Sequence, residues 1–396
     1  MCCGTGFEAD RGPFGFIMKI GIPIDAHANE TRTLLTPDAA AKLIKRGAQI
    51  EVETGVGLRS GHADAAYSAA GATVVADHDA LLSSSDMILR LHKPTAREIE
   101  LMGPGAIHVS FLDPFNEADL VRKLAERKVS AVSLEMIPRI TRAQKMDVLS
   151  SQANLAGYVG VLLAAAHSKK IFPMMTTAAG TITPAKVFII GAGVAGLQAV
   201  ATAKRLGAKV SAFDTRPVVE EQVKSLGAAF VKIDLGETGQ TKDGYAKALT
   251  EEQLAKQRLA LKKVCADSDA VVSTAQVFGR KAPVIVTSEM LAAMRKGSVV
   301  VDLAIESGGN VEGAPFNQIA DRDGVTIIAL ANLAGRVPVN ASQVLSGNIL
   351  GLVEEFWDKE GKQFVLKLDD EIIKGCLITH QGEICHPDIK ARLARS

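Results

Sequence analysis

The sequence predicts an α/β protein made of two doubly wound domains with a cleft between them. Three observations carry that expectation. Short apolar, β-branched runs alternate with helical patterns along most of the chain, the rhythm of a mostly parallel sheet. One strand–helix–strand unit between residues 185 and 214 is complete from its glycine turn to its terminal acid. The chain has 396 residues, of which 47% are hydrophobic, enough for two sizeable cores.

The first region places strands at 19–24, 49–52, 73–76, 87–91, 107–112 and 131–134. Helices fall between them at 37–45, 64–70, 96–101 and 117–127. Thr36 is the expected cap of the first, with Pro37 at its opening position. This region lacks a glycine fingerprint, so it is not a second dinucleotide domain of the usual kind, although its rhythm is the same. Residues 150–166 form a helix of small and apolar residues leading into the second domain. No uninterrupted apolar run reaches the roughly eighteen residues that span a bilayer, and 155–166 reads as a buried helix. Strands at 229–233, 270–272, 298–303 and 326–330 continue the second domain. A long helix at 340–359, with Val344, Leu350, Val353, Phe356 and Trp357, returns to the first domain, which 364–396 completes. The expected domains are thus 18–150 with 340–396, and 151–339. Residues 1–17 are glycine-rich and read as a disordered extension foreign to the fold, not a secretory signal, with Met18 a candidate initiator.

The unit at 185–214 carries chemistry. Residues 186–190 are an apolar strand, Gly191-Ala192-Gly193-Val194-Ala195-Gly196 follows at once, and a helix runs on to Leu206 with Gly207 as its stop. Gly191 lets the chain turn out of the strand, Gly193 lets the backbone approach a pyrophosphate, and Gly196 lets helix and strand pack closely. The first helical amides, those of Val194 and Ala195, and the positive helix end would hold the phosphates. Asp214, followed by Thr215, ends the second strand, where a carboxylate accepts the ribose hydroxyls. Its charge repels a 2′-phosphate and favours NAD over NADP, with Arg216 a counter-argument. The second domain is therefore expected to be Rossmann-like.

Composition excludes several classes. Forty-five basic and 44 acidic residues leave a net charge of +1, which offers nothing to nucleic acid or to an anionic membrane surface. Aromatics are 4%, with one tryptophan, too few for base-stacking platforms. Five cysteines without a CxxC pair indicate no disulfide framework and no zinc site, and fit a reducing cytoplasm. Cys376, His380, Cys385 and His386 fall in an expected terminal β-ribbon without metal-ligand spacing. The polar, glycine-bearing stretch 234–256 interrupts the rhythm and reads as a mobile lid over a cofactor, with Tyr245 able to cap an aromatic ring.

These motifs resemble the NAD(H)-binding alpha subunits of proton-translocating transhydrogenases, from Met18 onward. The resemblance rests on the run from Arg139 through Gln144, Asp147 and Ser150 to Asn154 and Tyr158, on GAGVAGLQA, on Gly244 to Lys247, and on Val301 to Ala304. It implies that Arg139, Gln144, Asp147 and Ser150 surround the nicotinamide, its ribose and the opposing nucleotide. An amide or hydroxyl can bond a carboxamide, and an Arg–Asp pair makes a rigid wall; alternatively Arg139 and Asp147 pin a loop and Ser150 caps a helix. Thr274 and Ala275 join the cofactor contacts. The loop after them keeps Phe278 where the family usually has proline. The resemblance further implies NADP(H) on a partner subunit, a separate membrane-spanning subunit, a homodimer, and a peripheral position on the cytoplasmic face of the cell membrane, with no membrane insertion of this chain.

Alanine dehydrogenases are similar in fold and form the alternative. Arg32 and Lys93 match their carboxylate-binding residues, or else serve ion pairs between the domains. Asp113 stands where that family has its catalytic histidine, and Glu306, before Ser307-Gly308-Gly309, where it has its catalytic aspartate. Amine or alcohol oxidation releases a proton and needs a base; hydride passing between two nicotinamides needs alignment instead. His92 and His108 read as structural. A third reading is a non-catalytic NAD sensor, against which the nicotinamide-end loop argues.

Overall fold

The computed structural model describes residues 17–27, 29–236, 239 and 250–394. The chain divides into two units, one ending at Val148 and resuming at Pro338, the other spanning Leu149–Val337. In chain order the first unit supplies β1 (Lys19–Ile22), β2 (Gln49–Glu53), β3 (Thr73–Val75), β4 (Met87–Leu89), β5 (Ile107–Ser110) and β6 (Ser130–Ser133). The second supplies β7 (Met175–Thr177), β8 (Gly180–Ile182), β9 (Lys186–Ile190), β10 (Lys209–Phe213), β11 (Ala229–Phe230), β12 (Ala270–Ser273), β13 (Val299–Asp302), β14 (Gln318–Arg322) and β15 (Val325–Ala329). Back in the first unit come β16 (Trp357–Asp358), β17 (Gln363–Phe364), β18 (Leu377–His380) and β19 (Glu383–Ile384).

Each unit carries one large sheet. The first is ordered β19-β18-β6-β5-β4-β1-β2-β3, parallel from β6 to β3, with β18 and β19 antiparallel at the edge. The second is ordered β11-β10-β9-β12-β13-β15-β14, parallel except for β14. Both reverse direction beside their first strand, between β1 and β4 and between β9 and β12. That reversal opens a crevice at the carboxyl ends of the strands, the usual ligand position of such sheets. The central strands are covered on both faces, which is why β12 and β13 are apolar without alternation.

The helix Pro338–Glu355 buries Leu345, Ile349, Leu352 and Val353 in the first unit's core. Its Ser342 and Ser346, one turn apart, accept from the amides of Thr33 and Thr36 at 2.9 Å each. Thr36 does hold the cap position of helix Pro37–Lys45, yet its hydroxyl meets Ser346 Oγ at 3.1 Å instead of capping. The returning helix stops at Glu355, short of the expected 359. Trp357 turns inward there, its indole N–H reaching Arg46 O at 3.2 Å, and β16 pairs with β17.

Other expectations change as well. The stretch 234–256 is helical from Glu251, because Thr250 and Gln253 form a reciprocal capping box that starts helix Glu251–Ala266. Tyr245 lies outside the described residues. The ribbon β7–β8 is exposed at every position, so no alternation betrayed it in the sequence. Among the described residues one helix, Val148–His167, is long and apolar enough to cross a membrane. No unbroken apolar run marks it in the sequence, because serine, glutamine and asparagine interrupt its first half. Its Val159, Val161 and Ala164 are buried with β9 in the second unit's core, the setting of a core helix.

A buried polar cluster underlies the first sheet. Arg90, 1% exposed, donates through Nη1 to Glu98 Oε1 at 2.5 Å. His78 bridges Glu98 (3.2 Å) and Glu53 (2.8 Å). His108 bonds Ser110 Oγ at 3.0 Å. Burial works to raise the Glu98 carboxyl, but the Arg90 charge and the Thr95 bonds outweigh it and hold it down at about 2. Burial, helped by Arg90, pushes His108 down to about 3. Both shifts act in one direction. Glu98 contributes stability above its unfolded value of about 4.3 and loses it as pH falls toward 2; neutral His108 begins to cost stability below about 6.5. The first unit should therefore weaken steadily in urea from pH 7 to pH 4 and further below. Glu98→Gln should lower its stability at pH 7 by about 3 kcal/mol by stranding Arg90. An unchanged urea midpoint in that variant would contradict the account.

Candidate dinucleotide-binding site

The glycine turn forms as the residue types require. Gly191 leaves β9 with φ of +90°, a left-handed conformation that side chains avoid. Its N–H donates to Phe213 O at 2.8 Å, tying the turn to the end of β10. Gly193 occupies the cap position of helix Val194–Arg205 in extended conformation and offers no side-chain cap. The first helical amides, including those of Val194 and Ala195, have no acceptor within their own helix and face the switch point. A Cβ on Gly196 would stand 1.9 Å from Gly191 O, so helix and turn touch backbone to backbone. A Cβ on Gly193 would meet nothing nearer than Arg216 Nη2 at 3.9 Å, which leaves space above the turn. Open space bounded by helix-end amides and a guanidinium suits an anionic pyrophosphate.

Two neighbouring segments close the site. Asp214 Oδ2 accepts from Ala192 N and Arg216 Nη2, each at 2.7 Å, and its Oδ1 accepts from Arg216 N and Nε, each at 2.9 Å. The Asp214 hydrogen bond raises the Arg216 guanidinium above its ordinary value. Thr215 lies between them, half-buried. From β12, Thr274 N donates to Ile190 O at 2.8 Å, and its hydroxyl reaches Ile190 O and Gly191 O at 3.2 Å. Ala275 follows, half-buried at the mouth of the next loop.

A support absent from the sequence reading is Gly157. It lies on helix Val148–His167 where a Cβ would stand 2.2 Å from Ala195 O, so this helix crosses against the first turn of the fingerprint helix. The small-residue spacing Gly157–Gly160 was its available signal; Gly160 faces the Leu303 side chain, whose Cδ1 a Cβ would meet at 2.9 Å.

The residues expected at the nicotinamide end straddle the division of the chain. Arg139, Gln144 and Asp147 belong to the first unit and Ser150 to the second. Arg139 and Gln144 are exposed; Asp147 and Ser150 are half-buried. The 3-10 turn Thr141–Met146 buries Ala143 and Met146, and Asn348 Nδ2 holds Lys145 O at 2.9 Å. Arg142 and Lys145 pair with Asp370 and Glu355 at 2.6 and 2.7 Å. Residues beside Gln144 thus anchor the turn while Gln144 itself faces outward. Ser150 is not a helix cap, since the helix begins at Val148.

The first unit has a cavity of about 580 Å³ at its own switch point, lined by Asp25, His27, His92, Lys93, Phe111 and Asp113 among others. Lys93 pairs with Glu117, and Arg32 with Glu30 at 2.7 Å, each pair lying within that unit. His92 Nε2 is held by Glu30 at 2.8 Å, and His108 is buried. Asp113 has φ of +50°, with its N–H held by Glu135 at 2.5 Å, and burial raises its carboxyl. Glu306 is exposed.

Comparison with known proteins decides the lineage. The profile described as "Alanine dehydrogenase/PNT, N-terminal domain" matches residues 21–156, and that of the C-terminal domain matches 160–387. The chain belongs to this family. It is 41% identical over 377 residues to an NAD(P) transhydrogenase alpha-subunit polypeptide of Rhodospirillum rubrum, covering 93% of this chain and 98% of that one. A crystal structure of transhydrogenase from Sinorhizobium meliloti superposes with a TM-score of 0.81 at 39% identity, covering 93% of this chain and 99% of that one. An alanine dehydrogenase of Methanococcus maripaludis stands further off, at 27% identity over 93% of this chain and 95% of that one. Within the family the chain therefore lies with the transhydrogenase alpha subunits, a kinship that implies nicotinamide dinucleotide binding.

The geometry separates two glycines. Gly196→Ala forces apart the turn and its helix and should destabilise the second unit by about 2 kcal/mol or more. Gly193→Ala has room in the free chain, so its melting temperature should stay near wild type while NADH affinity falls about tenfold. Calorimetry and fluorescence titration of both variants check this; equal stability losses would refute it.

Proposed function

We propose that this chain is the NAD(H)-holding subunit of a proton-translocating transhydrogenase. When bound, NAD(H) supplies or takes up hydride at its nicotinamide ring. The first-turn amides of Val194 and Ala195, with Gly193 giving access, hold the pyrophosphate. Asp214 accepts the adenosine ribose hydroxyls, and its negative charge disfavours a 2′-phosphate. Arg139, Gln144, Asp147 and Ser150 orient the nicotinamide half. Neither proton uptake nor release occurs at the reacting carbons, so alignment is the main requirement.

The observation that carries this reading is the state of the first unit's cavity. The two basic residues that match a keto-acid dehydrogenase's carboxylate seat are paired here, Lys93 at the cavity with Glu117 and Arg32 with Glu30. The position that would supply an imidazole base is Asp113. The relatives' names support the same conclusion, since they are those of a subunit. An NADP(H)-binding subunit and a membrane-spanning subunit would complete the enzyme. The chain would sit as a homodimer on the cytoplasmic face of the membrane.

The test mixes the pure protein with the NADP(H)-binding subunit encoded for the same enzyme and follows transfer from NADH to an NADP⁺ analogue. Transfer should appear only with the partner present. NADH oxidation by pyruvate and ammonium at enzymatic speed, with no partner, would establish the dehydrogenase reading instead. Gln144→Ala and Asp147→Asn should each slow transfer about a hundredfold while changing the NADH Kd by no more than about threefold. Stopped-flow transfer beside equilibrium titration separates the two effects.

A further inference from the structure

The motif Ser307-Gly308-Gly309-Asn310 plays no role in the hydride transfer proposed for this chain, yet it contains a fully buried and fully bonded amide. Asn310 is 0% exposed. Its Oδ1 accepts from Ser273 Oγ at 2.8 Å and Ala275 N at 3.0 Å. Its Nδ2 donates to Ala275 O at 2.8 Å and Pro283 O at 2.9 Å. Reversing the amide would set donor against donor and acceptor against acceptor, so its orientation is determined by its partners. Its backbone is held as firmly: the N–H donates to Asp302 Oδ2 at 2.8 Å, and the carbonyl accepts from Ile285 N and Val286 N at 2.8 and 2.9 Å.

Ala275 and Pro283 are the two ends of the loop 276–282. One NH₂ group therefore ties both ends together and closes the neck. The preceding residues seat the body of the loop. Ala282 N donates to Ser307 O at 2.7 Å. Gly308, with φ of +106°, lies so close beneath Lys281 that a Cβ would stand 2.5 Å from its Cγ. The loop leaves β12 directly after Thr274, whose hydroxyl touches the glycine turn. The adenosine seat, Asp214, directly follows β10, which lies on the opposite side of β9 from β12. A dinucleotide whose pyrophosphate sits at the turn must extend its other half toward β12 and this loop.

We infer that Asn310 is a positioning residue that closes the neck of loop 276–282 and so sets the seat of the nicotinamide half, with Ser307 and Gly308 as its saddle. This rests on the dinucleotide reading of the glycine turn. The motif that lacks a catalytic aspartate here has a scaffolding task instead.

The test is Asn310→Asp in the full chain, which keeps shape and acceptor but replaces both donors with an oxygen facing two carbonyls. ADP probes the adenosine and pyrophosphate half alone; NADH probes both halves. In the folded variant ADP affinity should stay within about twofold, NADH affinity should fall about tenfold, and amide exchange in 276–282 should rise by at least that factor. Equal losses for ADP and NADH, or no loss for either, would overturn the inference. Should Asn310→Asp not fold, Ser273→Ala decides. It removes one of the two bonds that fix Oδ1 and so loosens the amide whose NH₂ makes both neck bonds; NADH affinity should fall about threefold with ADP unchanged. An unaltered NADH-to-ADP ratio and exchange rate would overturn the inference there. Failure of the transhydrogenase reading is separately visible, as wild-type protein that binds NADH and ADP but transfers no hydride with the partner subunit.

Discussion

The second unit depends on a contact between backbones with no side chain between them. At the switch point of its sheet, the fingerprint helix meets the glycine turn where a Cβ on Gly196 would stand 1.9 Å from Gly191 O. Thr274 fills the remaining gap from β12. The long helix Val148–His167 presses from another side, again through a glycine, Gly157 against Ala195 O. Three elements thus converge on one helix end at distances that exclude any larger residue. Close approach is what brings the helical amides to the rim of the sheet, where they can meet a phosphate.

The two units share a winding and differ in what their switch points contain. In the second, the strand ends present amides and open space beside a carboxylate, Asp214, that is paired with Arg216. In the first, the corresponding ends carry charged side chains already satisfied by one another: Lys93 with Glu117, Arg32 with Glu30, His92 with Glu30. An ion pair that must be broken before a ligand can bind opposes that ligand by the strength of the pair. The same architecture therefore places open space beside backbone amides at one switch point and paired charges at the other. Fold alone does not decide between these outcomes; the bonding of individual side chains does.

Much of the frame was legible because it follows from local rules. Central strands buried on both faces read as unbroken β-branched runs, and the glycine turn with Asp214 at the end of β10 follows from spacing alone. Elements governed by weaker or non-local preferences were not legible. The exposed ribbon β7–β8 has no buried face to impose a period. The capping box at Thr250 and Gln253 was hidden in a polar stretch with the composition of a loop. Thr36 sits at a helix start, as its type suggests, but its hydroxyl is taken by Ser346, 310 residues away.

Residue order was enough to set the winding of both sheets, the glycine turn and the acid at its side, since each depends on residue types within one strand–helix–strand unit. Which polar groups are already engaged, and which backbone atoms nearly touch, emerged with the folded chain. Folding bound Lys93 to Glu117, set Gly157 against Ala195, and made Asn310 the tie between the two ends of loop 276–282. Such pairings join residues far apart in the chain, and their worth depends on burial and on distances of a few ångströms, which no spacing along a sequence records.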